Sequence, residues 1–167
     1  VRATYDVGVI YFQKENYSEA LKWFQKAVDA NYPDAEYMLG NMYLAGLGVP
    51  QDFIRAKSLL YKAEDGGNIP AITAIGHMHE SGWGFQADAH AAFAWYSRAA
   101  VHDGFDAVAR LSLLYLHGEG VRPNLLTACE LMVKSVKAGD KLDAPILRKL
   151  KETPETTLPA ETLRDEG

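Results

Sequence analysis

The run His77-Met78-His79-Glu80 comes closest in this sequence to a metal-binding or acid–base pattern. On a helix, residues two apart point about 200° away from each other, so His77 and His79 cannot hold one metal together. His77 and Glu80 are three apart and share a face. A third ligand, such as His117, would have to come from another helix, and no zinc-signature spacing supports it. His79 reads instead as a packed inter-helix residue holding one hydrogen bond. Three Gly-x-Gly triplets, Gly46-Leu47-Gly48, Gly82-Trp83-Gly84 and Gly118-Glu119-Gly120, invite a phosphate-loop reading. Each follows a helical pattern rather than a strand. None extends to Gly-x-Gly-x-x-Gly or is followed by Gly-Lys-Ser/Thr, so no nucleotide site is expected. Cys129 sits beside Ala128 in a core-like context and reads as a small buried side chain. The Asp165-Glu166 pair lies in an acidic tail and reads as solvated charge. No catalytic constellation emerges, and neither a cofactor nor a metal is expected.

Composition narrows the classes further. The chain has 167 residues, the size of one ordinary domain. Apolar residues make up 48% and charged residues 23%, with a net charge of −5. That balance argues against a nucleic-acid binder with a basic surface. One cysteine excludes an intramolecular disulfide and a multi-cysteine zinc site. No apolar run approaches the ~18 residues of a membrane span, so no membrane insertion is expected. The chain starts without Met and without a basic-then-apolar leader, and reads as a processed protein or an excised fragment. Alanine (23) and glycine (14) are abundant, suggesting close helix packing with regular interruptions.

A repeat accounts for that abundance. Segments starting at Ala35, Ala71 and Ala107 superpose at a spacing of 36. Gly40, Gly76 and Ser112 share one column, and Tyr43, His79 and Tyr115 another. The Gly-x-Gly triplets follow, then Asp52, Asp88 and Asn124, then Ala56, Ala92 and Ala128. Ala3, Gly8 and Tyr11 precede their counterparts by 32 and Ala20 precedes Ala56 by 36, so the first unit lacks four residues where the others carry the loop. Each unit reads as two helices. Glycine closes the first and Asp or Asn caps the second. Asn16 with Glu19 resembles a capping box. The second helix of one unit carries Ile54, Ala56, Leu59, Leu60 and Ala63, and Trp23, Trp95 and Tyr96 fall in core columns. Trp83, in the middle of a triplet, is either packed on the next repeat's loop or exposed as a contact residue.

A helix pair leaves one face uncovered, and stacking buries it. The expected fold is all-α: a right-handed α-solenoid of helix-turn-helix repeats, one of 32 residues and three of 36, with a C-terminal capping helix. The repeat domain spans 1–152, with units at about 3–34, 35–70, 71–106 and 107–142 and the cap at 143–152. Residues 153–167 read as a flexible acidic tail.

At these columns the sequence resembles the Sel-one-like repeat branch of the tetratricopeptide superfamily. The resemblance rests on Tyr37-Met38-Leu39-Gly40-Asn41-Met42-Tyr43, on Gly46-Leu47-Gly48-Val49 with Asp52, on Ala92 to Ala100, and on Gly118-Glu119-Gly120-Val121. It covers roughly residues 3 to 140. Tyr17 to Phe24, without the loop, looks more like a plain tetratricopeptide hairpin. Phe85, Ser112 and Leu131-Met132 depart from the pattern as packing variants. The resemblance implies a scaffold without chemistry of its own. Its members serve as adaptors in bacterial envelope assembly, signalling and host interaction, and in eukaryotic protein degradation.

In the resembled fold the first helices line the concave surface. Residues one step round from the core stripe are then expected to face a protein or peptide partner. These are Tyr5, Val9 and Phe12; Tyr37, Asn41 and Leu44; Thr73, His77 and Glu80; and Ala109, Leu113 and Leu116, flanked by Gln13, Ser81 and His117. Such a groove is aromatic at its start, polar in the middle and leucine-lined at its end. It suits a peptide anchored at both ends, with Asn41, His77 and Glu80 fixing register. The alternative is an assembly module of a larger multidomain protein, self-associating through its N-terminal repeat.

Overall fold

Residues 1–102 and 104–137 are described in a computed structural model. They form eight helices and, among the described residues, no strand. In chain order these are α1 (Arg2–Gln13), α2 (Tyr17–Val28), α3 (Pro33–Ala45), α4 (Phe53–Asp65), α5 (Ile69–Ser81), α6 (Ala89–Val101), α7 (Phe105–His117) and α8 (Leu125–Lys137). The expected capping helix 143–152 and tail 153–167 lie outside the described residues. The first helices run 12 or 13 residues rather than about 11; in α3 and α5, Pro33 and Ile69-Pro70 start the helix ahead of the alanine columns.

The described residues divide into two compact units, which part between Trp95 and Tyr96. In the first, α1 packs on α2, α2 on α3, α3 on α4 and α4 on α5. The buried residues recur at spacings of four and three: Ala20, Phe24 and Ala27 on α2; Ala35, Leu39 and Met42 on α3; Ala56, Leu60 and Ala63 on α4; Ala71, Ile75 and Met78 on α5. That spacing traces one stripe on each helix. Each fully buried Leu or Phe contributes on the order of 2–3 kcal/mol. Gly8 faces the Phe24 ring and Gly40 faces Leu60; a Cβ at these positions would sit 2.7 Å and 3.0 Å from those side chains. The small residue on the first helix therefore makes room for the large residue on the second.

The second unit repeats the stripe at Ala107, Leu111 and Leu114 on α7, which packs on α8. Here Ser112 takes the glycine column. It is fully buried, and its hydroxyl donates to the Ala109 carbonyl at 2.6 Å, so the added oxygen is satisfied. Cys129 is buried, and burial raises its thiol pKa, which suits the packing role expected for it.

The turns follow the residue types. Gly46, Gly82 and Gly118 end α3, α5 and α7 in the left-handed conformation, with φ of 69°, 74° and 73°. Asp52 caps α4 by accepting from the amides of Ile54 and Arg55, and Asp88 accepts from His90 and Ala91. These amide bonds, Ala91's first, hold the Asp88 carboxyl below its usual pKa. Asn124 accepts from Thr127 and Asn16 from Glu19. One further bond closes every hairpin. The capping residue's own N–H donates to the carbonyl of Tyr11, Tyr43, His79 or Tyr115, at 2.9–3.0 Å.

Two sequence expectations are corrected. Ile54 is 70% exposed, because it falls outside the Ala56–Leu60–Ala63 stripe of α4. Trp23 is half-buried, with the Lys26 ammonium 4.4 Å from its ring; its neighbour Phe24 takes the core position.

Candidate functional site

On α1, Tyr5 and Phe12 stand one step round from the core stripe and border it. The Tyr5 ring lies 5.8 Å from Phe24 and 5.3 Å from Tyr32, and Phe12 meets Tyr17 edge-on at 5.3 Å. On α3, Tyr37, Asn41 and Leu44 are half-buried. Tyr37 and Leu44 pack against the cluster built from Leu60, Ala71, Ile75 and Met78. The Gln51 amide donates to the Leu44 carbonyl at 2.6 Å, tying the loop back to α3. On α5, His77 and Glu80 share a face as their spacing predicts, with Nδ1 3.6 Å from Oε2. Thr73 departs from expectation: it is only 7% exposed, so its side chain belongs to the packing of α5. In the second unit Leu113 and Leu116 are half-buried on α7, and exposed His117 lies 4.0 Å from Glu119.

No group of three His, Cys, Asp or Glu side chains among the described residues is arranged to hold a metal. His79 is held by ring stacking, 3.9 Å from Phe85 and 6.5 Å from Trp95. Burial lowers its pKa, with Asp88 opposing the shift and Lys57 adding to it. Lys57 also places its ammonium 4.0 Å from the Phe85 ring. Trp83 is not packed on the next repeat's loop as one expectation had it. It stacks on Phe53, nearly parallel at 3° and 6.0 Å, yet remains 40% exposed. The ring it meets belongs to the start of α4 in the preceding repeat rather than to the next loop.

Sequence reasoning missed a polar link between repeats. Asn68 caps α5 by accepting from the Ala71 amide at 2.8 Å, and its side-chain N–H donates to Asp34 on α3 at 2.7 Å. The local signal was an Asn two residues before Pro70, a helix-start pattern. Its partner, 34 residues earlier, has no local signal. Glu36 was also missed. It is 4% exposed, and burial raises its carboxyl pKa while Lys62 opposes the shift.

No helix among the described residues is long and apolar enough to cross a membrane. Comparison with solved structures finds a Sel1 repeat protein from Oxalobacter formigenes at 32% identity and a TM-score of 0.75, covering 82% of this chain and 58% of that one. A protective antigen of uropathogenic Escherichia coli displaying an SLR fold matches at 25% identity and a TM-score of 0.73, covering 83% of this chain and 31% of that one. Among curated proteins, the Arabidopsis thaliana ERAD-associated E3 ubiquitin-protein ligase components HRD3B and HRD3A are 31% and 32% identical over 99 and 98 residues. Those stretches are 58% and 59% of this chain but only 16% and 14% of the relatives' lengths. Chitin synthase regulatory factor 3 of Schizosaccharomyces pombe is 36% identical over 80 residues, 47% of this chain and 9% of its own. The Sel1 repeat model matches four times, at residues 1–32, 33–68, 69–100 and 105–140, one match for each helix pair. Helix pairs, loop closures and matched segments coincide along the chain, and the chain belongs to the Sel1 repeat family.

Proposed function

We propose that this chain is a non-catalytic scaffold that binds a protein or peptide partner through the concave surface lined by its first helices. One observation carries the reading. On α3 the stripe one step round from the core is half-buried and chemically varied, while the neighbouring Ala35–Leu39–Met42 stripe is sealed; on α1 Tyr5, Val9 and Phe12 are half-buried beside the buried Gly8. Tyr5 and Tyr37 stand at the same turn of successive first helices, and Asn41 adds a polar group one turn further on, a mix that packing alone does not require. The names of the relatives point the same way, since they are a ligase component and a regulatory factor rather than catalysts. In this reading the aromatic residues anchor the partner, and Asn41, His77 and Glu80 set its register.

The test is to capture a partner by crosslinking pull-down and measure its affinity for the wild type and for a Tyr37→Ala/His77→Ala double variant. A loss of about tenfold or more is expected, since a few central residues dominate such interfaces. Unchanged affinity removes the concave groove from consideration. A second reading, self-association through the N-terminal repeat, is favoured by Ile10, which is apolar and 50% exposed on α1. Light scattering decides it. Concentration-dependent mass that Ile10→Lys abolishes supports self-association, and a monomer at all concentrations removes it.

A further inference from the structure

Among the first helices of unit 1, α1 differs in what covers it. Gly8 turns one side of α1 to Phe24 of its own hairpin, as Gly40 turns α3 to Leu60. Another side of α3 carries the stripe Ala35, Leu39 and Met42, which is at most 1% exposed. That stripe forms one cluster with Ala20, Phe24 and Ala27 of α2, the second helix of the preceding hairpin. On α5, Ala71, Ile75 and Met78 are equally sealed, and they cluster with Leu60 and Ala63 of α4. α3 is thus covered from two sides, by its own second helix and by the one before it. The repeat columns place Ala3, Val7 and Ile10 at the same positions on α1. There Ala3 is exposed, Val7 is half-buried and Ile10 is 50% exposed.

We propose that this face of α1 docks an amphipathic helix of another polypeptide, one carrying alanine, a large apolar residue four positions on, and alanine three further. The proposal adds a surface to the scaffold reading and does not depend on the concave groove. The covered first helices identify the occupant, since Ala20–Phe24–Ala27 and Ala56–Leu60–Ala63 share that spacing and fill the equivalent place on α3 and α5. Steps of four and three keep all three residues on one side of a helix, which is how an amphipathic helix anchors on an apolar face. Val7 stands where α3 has the longer Leu39, leaving room for a ring the size of Phe24. Residues 29–32 alone join α2 to α3, so those two helices run antiparallel. A helix docked in the same sense sets its C-terminal carbonyls at the N-terminal end of α1, where Arg2 is exposed. A second copy of the chain keeps its own stripes to itself: Ala20, Phe24, Ala27, Ala56, Leu60 and Ala63 are all 0% exposed. The helix that fits is therefore a free one from a different protein.

The experiment titrates the full chain, with its backbone amides followed by NMR, using a synthetic peptide of residues 17–28. The peptide is stapled as a helix between positions 18 and 22, both exposed in α2. Saturable shifts are expected at Ala3, Val7 and Ile10. Ile10→Lys, at an exposed position that does not threaten folding, weakens the titration by about tenfold or more, and so does Phe24→Ala within the peptide. Tyr37→Ala/His77→Ala leaves it unchanged. No saturable shift at α1 up to about 1 mM peptide, or a titration indifferent to Ile10→Lys, overturns the proposal. Either failure leaves the concave-groove reading standing, since that reading is decided by the affinity of a captured partner. Light scattering of the chain alone separates the remaining occupant. Concentration-dependent mass that Ile10→Lys abolishes, with no peptide shift at α1, gives the face to a second copy and overturns the proposal too.

Discussion

The first helix pair and the two that follow it close in different ways. Residues 14–16 join α1 to α2, whereas residues 46–52 join α3 to α4 and residues 82–88 join α5 to α6. The closing hydrogen bond is the same in all three, from the N–H of Asn16, Asp52 or Asp88 to a carbonyl in the Tyr11 column. The left-handed residue is shared too, at Glu15 with φ 58° and at Gly46 and Gly82 with 69° and 74°. The four extra residues are therefore not needed to turn the chain. They reach backwards instead. Gly48 lies against Tyr17 at the start of α2, and Gly84 against Phe53 at the start of α4. The loop is a contact between repeats, and the short turn shows the hairpin without it.

Breaking that contact gives the largest expected effect. Gly48→Ala places a Cβ 2.8 Å from the Tyr17 Cβ at a residue with φ of 71°, so strain and clash add. A loss of about 3 kcal/mol is expected in denaturant unfolding. Gly67→Ala separates the two causes. Its φ is 83° but nothing lies within 4 Å, so conformational strain alone should cost about 1 kcal/mol. If the two variants cost the same, the loop contact contributes nothing. Glu15→Gly probes the short turn in the opposite direction. Relieving a left-handed glutamate should stabilise by about 0.5 kcal/mol after the added unfolded-state entropy.

The smallest effect concerns His79, which sits where Tyr11, Tyr43 and Tyr115 sit elsewhere. Its pKa is lowered in the fold, so the folded state prefers the neutral ring. Stability is then full above the unfolded value near 6.5 and declines as pH falls through it towards the folded value. His79→Tyr should flatten unfolding midpoints measured between about pH 7 and 5. A slope that survives the substitution would assign the effect to other groups.

The repeat, its helix pairs and its caps were legible because each depends on residue type at fixed spacing. Gly46 must stop a helix, and Asp52 must cap one. What was not legible depends on depth or on partners far along the chain. Periodicity could not tell Trp23 from Phe24, because adjacent residues differ by only about 100° on a helix and both are large and aromatic. It could not find Glu36, because a carboxylate on a core-facing stripe contradicts the apolar pattern used to draw that stripe. The expected contact row was drawn from the same geometry, and Thr73 shows its limit: α5 buries Ile72, Thr73 and Ala74 beyond its main stripe of Ala71, Ile75 and Met78. The Tyr5–Tyr32 ring pair had no pattern at all, since Tyr32 lies between helices and joins Tyr5 only after the chain has folded back.

The pairing of a small residue on one helix with a large one on its partner bears on how such arrays grow. Gly8 with Phe24, and Gly40 with Leu60, are complements inside a single hairpin. A hairpin copied or deleted whole keeps its complement. A recombination junction at Gly66-Gly67 preserves every such match, whereas one cut through Gly46-Leu47-Gly48 can set a glycine opposite another small residue or a large residue opposite a larger one. Gene duplication in this architecture is therefore tolerated at one boundary and penalised at the other, and exchanged repeats are compatible in proportion to how fully each carries its own fit.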